Sequence, residues 1–64
     1  MRLDKLRGIL AEKRITQKDL AKSLNLSVLS VNRKLNGHVP ITVEEAAKIV
    51  EFAKIEDPVA VFFK

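Results

Sequence analysis

Apolar residues recur along this chain three and four positions apart, in groups separated by short polar breaks, and that spacing predicts helices nearly throughout. Leu3, Leu6 and Leu10 fall on one face with Ile9 beside them, so residues 3–13 read as a first helix with Asp4 in its first turn. Gly8 is a weak spot in it, costing about 1 kcal/mol against Ala unless something packs there. Thr16 is a good N-cap, answered three residues on by Asp19, and Ile15 just before it can close a hydrophobic staple on Leu20. Leu20, Ala21 and Leu24 mark the buried stripe of this second helix, and Asn25 tolerates the left-handed conformation that ends it. Leu26 follows as an apolar plug and Ser27 as another N-cap. Val31 and Leu35 give the third helix its inward face, and Asn36-Gly37 stops it.

His38-Val39-Pro40-Ile41 reads as a loop. Thr42-Val43-Glu44-Glu45 is a clearer capping box and opens a fourth helix, with Val43, Ala46, Ala47, Val50 and Ala53 as its expected inner face. Ile49 and Phe52 widen that stripe, either as core or as a self-association surface. Asp57 and Pro58 form a stop and restart, because Asp caps and Pro suits a first helical position. Residues 59–63 then read as a short fifth helix, on the strength of the cap. Their β-branched and aromatic content could equally make a strand. The expected fold is therefore all-α, a compact bundle of four or five helices.

Sixty-four residues make one domain, 1–64, with so small a core that every large apolar side chain counts. The absence of Cys rules out disulfides and thiolate metal sites, and one His is no metal site either. No apolar run approaches the roughly 20 residues that span a bilayer, so a soluble cytoplasmic protein is expected, with no membrane and no cofactor. Charge is unevenly placed. Residues 1–40 carry nine Lys/Arg against three acids, net +6, while residues 41–64 carry three Lys against five acids, net −2. A basic front and an acidic rear suit a polyanion binder with one working face, although a solvated basic surface would look the same.

The stretch T-Q-K-D-L-A-K-S-L-N-L-S-V-L-S-V-N-R-K-L-N-G, residues 16–37, resembles the helix-turn-helix of the phage Cro/repressor-like family, the lambda-repressor-like DNA-binding domains. Thr16, Gln17, Leu20, Ala21, Leu26, Ser27, Asn36 and Gly37 carry the match. Asn25 stands where that family usually has Gly, and Arg14 where Gly often closes the first helix; either costs about 1 kcal/mol of strain. The family also closes with a short helix, though some Cro proteins instead pair C-terminal strands across a dimer.

This resemblance implies a transcription regulator of phage or prophage type, a repressor acting on a double-stranded DNA operator without a small-molecule substrate. The helix opened by Ser27 would enter the major groove, with Ser27, Val28, Leu29, Asn32 and Arg33 facing base edges. Arg33 could donate two bonds to guanine, Asn32 could pair adenine, and Val28 and Leu29 could pack on thymine methyl groups. Gln17 corresponds to the family's phosphate clamp. Arg14, Lys18, Lys34, Asn36 and His38 lie where phosphates would pass, His38 being otherwise a plain loop residue. Weak binding to one half-site implies a homodimer on pseudo-palindromic DNA, joined through Phe52, Ile55, Val59, Phe62 or Phe63. Two other classes compete. A protein-interaction module of antitoxin or antirepressor type would use Val28-Leu29 as its interface. An enzyme is disfavoured, since the chain has no Cys and no glycine-rich phosphate loop, and its Ser residues are explained as caps.

Overall fold

In the computed structural model, which describes residues 1–63, five helices follow one another: α1 Leu3–Glu12, α2 Gln17–Leu24, α3 Val28–Leu35, α4 Val43–Ala53 and α5 Pro58–Phe62. Each helix after the first starts on a side-chain cap. Thr16 Oγ1 accepts from the Asp19 N–H while Asp19 accepts from the Thr16 N–H, and Thr42 and Glu45 repeat the arrangement at α4. Ser27 caps α3 through the Ser30 N–H, and Asp57 caps α5 through the Ala60 N–H. The cap therefore decides the tail in favour of helix, and no strand occurs among the described residues.

Helices α1 to α4 all end in the same way. A residue in the left-handed region follows each one: Arg14 at φ 57°, Asn25 at φ 57°, Gly37 at φ 80° and Lys54 at φ 53°. The next N–H then reaches back across the turn, from Ile15 to the Leu10 carbonyl, Leu26 to Ala21, His38 to Arg33 and Ile55 to Val50. Three of those next residues are apolar, and they turn inward: Ile15 and Leu26 pack against the core and Ile55 belongs to it. Only Gly37 adopts this conformation without a Cβ penalty.

The core is built from Leu6 and Leu10 of α1, Leu20, Ala21 and Leu24 of α2, Val31 and Leu35 of α3, Ile49 and Ala53 of α4, then Ile55, Val61 and Phe62. Helix α2 packs on α3 and α4, and α1 packs on α3 and α5. The Arg2 N–H donates to the Val61 carbonyl at 2.7 Å, which sews the start of the chain to its last helix.

The inner face of α4 differs from the expected one. Val43 is 84% exposed and Ala47 is also exposed, whereas Ile49 is the most buried residue of the helix and Ala46 and Val50 are half-buried. Apolar residues cover more than half the circumference of this helix, so spacing alone offers two overlapping stripes; packing against α2 selects the one through Ile49 and Ala53. Two residues expected at a dimer surface also belong elsewhere. Ile55 is driven inward by the left-handed turn at Lys54, and Phe62 is largely buried where α5 folds back, reaching the surface only along the edge of an apolar groove between α4 and α5. Phe52, Val59 and Phe63 are exposed.

Candidate nucleic-acid interface

Helix α3 buries only Val31 and Leu35, and its other face is open. Ser27, Val28, Leu29, Asn32 and Arg33 are all exposed, Leu29 to 59% and Val28 to 46%. The small Ala21, 4% exposed, lies on the α2 side of the α2–α3 pair, where a larger residue would hold the helices apart. The residues that hold α3 are thus inward, and every residue expected to read bases is outward. Ser27 is constrained all the same: its hydroxyl accepts from the Ser30 N–H and donates to Ser30 Oγ, so the cap occupies the group that base reading would use.

Gln17 opens α2, half-buried, and its Oε1 accepts a long 3.4 Å bond from Asn32 Nδ2, which places the two amides side by side at the α2–α3 junction. Arg14, Lys18 and His38 are exposed. Asn36 is exposed too, but its amide nitrogen donates to the Asn32 carbonyl at 2.8 Å and so back-caps α3.

Lys34 departs from the expected phosphate set. Its ammonium is held at 2.9 Å from Glu45 Oε1 and 3.0 Å from the Pro40 carbonyl, with only 13% of its side chain exposed. A cation committed to two acceptors inside the molecule is a tie for the α3–α4 loop, not a free surface charge. Burial pushes the Glu45 carboxyl up, but the Thr42 N–H and the Lys34 ammonium outweigh it and hold Glu45 below the usual carboxylate range. At the head of α2, the Thr16 N–H and hydroxyl hold Asp19 low in the same way.

Arg7, which no local pattern singled out, donates from Nη1 to the Leu35 carbonyl at the end of α3. Its partner lies 28 residues along the chain, so only the packing of α1 on α3 brings them together. The capping box made Glu45 visible in the sequence, whereas its ion pair with Lys34 depends on the loop closing back on α4.

Away from this face, Met1, Ile41, Val43, Ala47, Val50 and Phe63 line an apolar groove of about 340 Å³ between the start of α4 and α5. Among the described residues no helix is long and apolar enough to cross a membrane. No group of three or more His, Cys, Asp or Glu stands ready to hold a metal ion there either.

No curated protein and no solved structure matches the chain. One family model matches residues 1–64, that of a protein of unknown function (DUF739), and the chain belongs to that family.

Proposed function

We propose that this protein is a sequence-specific double-stranded DNA-binding transcription regulator, resembling the phage Cro/repressor-like group, that presents α3 to the major groove. One observation carries the reading: the buried side of α3 is fully apolar while its open side offers Arg33 and Asn32, the latter beside Gln17, on the basic half of the chain. Arg33 and Asn32 read base edges, with Val28 and Leu29 against thymine methyls. Gln17, Lys18, Arg14 and His38 contact phosphates, aided by the free N–H groups at the start of α2. So few contacts make one half-site weak, and the chain binds as a homodimer on half-sites about 34 Å apart. The second copy is met at the apolar groove, where Val43 and Phe63 are 84% and 76% exposed.

The test is selection of bound duplexes from a random pool, followed by titration of the winner at low and high salt. A preferred sequence whose binding weakens steeply with salt is expected. Binding that is absent, or indifferent to salt, would sink the proposal. A second reading, a protein-interaction module, is favoured by the exposure of Val28 and Leu29 alone, and it predicts no sequence preference in that selection.

A further inference from the structure

The last four carbonyls of a helix have no partner within it, so each must be satisfied from somewhere else. In α3 the partners can all be named. The Asn32 carbonyl takes the Asn36 N–H at 3.1 Å and the Asn36 amide at 2.8 Å, Arg33 takes the His38 N–H at 2.9 Å, and Lys34 takes the Gly37 N–H at 3.2 Å. Those three are met within the turn that follows. The fourth, Leu35, is met from another element: Arg7 Nη1 of α1. A guanidinium there also faces the negative end of the helix dipole.

We propose that Arg7 is the positioning residue of the base-reading helix: by donating to the Leu35 carbonyl it ties the last turn of α3 to α1 and fixes the angle at which Arg33 is presented. The role rests on the reading of α3 as the DNA-facing helix; the clamp itself does not. Leu35 anchors the same turn through its buried side chain, so side chain and carbonyl of one residue are both held, one by the core and one by Arg7. On the other side of the turn, Lys34 is held to Pro40 and Glu45. Removing Arg7 therefore frees the α1 side of the turn and leaves the α4 side tied.

Two measurements test this on the whole chain with Arg7→Met, which keeps the stem and removes the donors, and Arg7→Lys, which keeps the charge. Arg7→Leu, which also lacks a donor, is read in the same way if the Met variant does not fold. The first is amide hydrogen exchange by NMR on the free protein. Exchange at the Gly37 and His38 amides should rise roughly tenfold over that at Leu24 and Ala53 in Arg7→Met, as for a lost charge-assisted bond at a helix end. The second is the affinity ratio between the selected duplex and a scrambled one, which should fall by about 3- to 10-fold in Arg7→Met and largely recover in Arg7→Lys. Unchanged exchange at Gly37 and His38 overturns the clamp, whatever happens on DNA. Raised exchange with an unchanged ratio overturns the positioning role, as does an equal loss on both duplexes, the signature of a phosphate contact. If the wild type has no sequence preference, the DNA reading and this role fall together, while exchange still decides the clamp.

Discussion

Arg14, Asn25, Gly37 and Lys54 occupy equivalent places at four helix ends, yet only two of them look like residues that should be there. Asn and Gly enter the left-handed region readily; Arg and Lys do so at a cost of about 1 kcal/mol. The turns at Asn25 and Gly37 were accordingly legible in the sequence. At Arg14 the departure from Gly was legible but not its conformation, and at Lys54 nothing local announced the turn. What Arg14, Asn25 and Lys54 share is the apolar residue that follows, Ile15, Leu26 or Ile55, whose packing into the core holds the turn in place. Lys54→Gly should therefore stabilise the fold by about 0.5–1 kcal/mol, raising the thermal midpoint by a few degrees in a circular-dichroism melt. Gly8 is the converse case. It is exposed within α1 and nothing stands within 4 Å of where a Cβ would be, so Gly8→Ala should stabilise by a similar amount. A drop in the midpoint would contradict the strain assigned to Lys54 or the helix-propensity cost assigned to Gly8.

At the scale of elements, the helices themselves were well marked, because Thr16, Ser27, Thr42 and Asp57 are cap residues in front of helical apolar spacing. What escaped was the choice of face in α4 and the partners of Arg7 and Lys34, all of which are settled by neighbours distant in sequence. Glu45 joins two of these matters: it closes the cap of α4 and pairs with Lys34 across the α3–α4 loop. Its carboxyl titrates below its ordinary value of 4.5 in the folded chain, so its contribution to stability is complete above that value and fades as pH falls through it. Glu45→Gln should thus be less stable than the wild type at pH 7 by about 1 kcal/mol, with the gap narrowing as pH falls below 4.5. Urea titrations at several pH values check this. A gap that stays constant with pH would mean that neither the Thr42 N–H nor Lys34 favours the charged form of Glu45.

For the molecule as a whole, the excess of cations in residues 1–40 over the rest of the chain accords with the DNA reading, which has quantitative consequences. Arg33→Ala should remove base preference worth roughly 1–3 kcal/mol at one position of the site, whereas Gln17→Ala should weaken every duplex alike. Reversal of these two patterns in a competition assay would exchange the assigned roles. Dimer formation belongs to this scale too. Val43→Glu, on the exposed wall of the groove, should leave the unfolding free energy within about 0.5 kcal/mol of wild type yet abolish two-fold occupancy of a palindromic duplex in sedimentation. Phe62 and Phe63 of this groove stood out in the sequence, but its α4 wall did not, because Val43 and Ala47 had the spacing of core residues.

The turns at Arg14, Asn25 and Lys54 carry a last implication, for how the chain folds. Each is a left-handed conformation, strained at Arg14 and Lys54, kept by an apolar anchor whose burial requires helices from elsewhere in the chain, so none of these three corners can form ahead of the interior it leans on. An excised peptide of residues 16–37, caps included, should then be largely unstructured in water, below the length at which isolated helices hold. The intact chain should melt in a single all-or-none transition, with far-ultraviolet and hydrogen-exchange probes of all four corners superimposing.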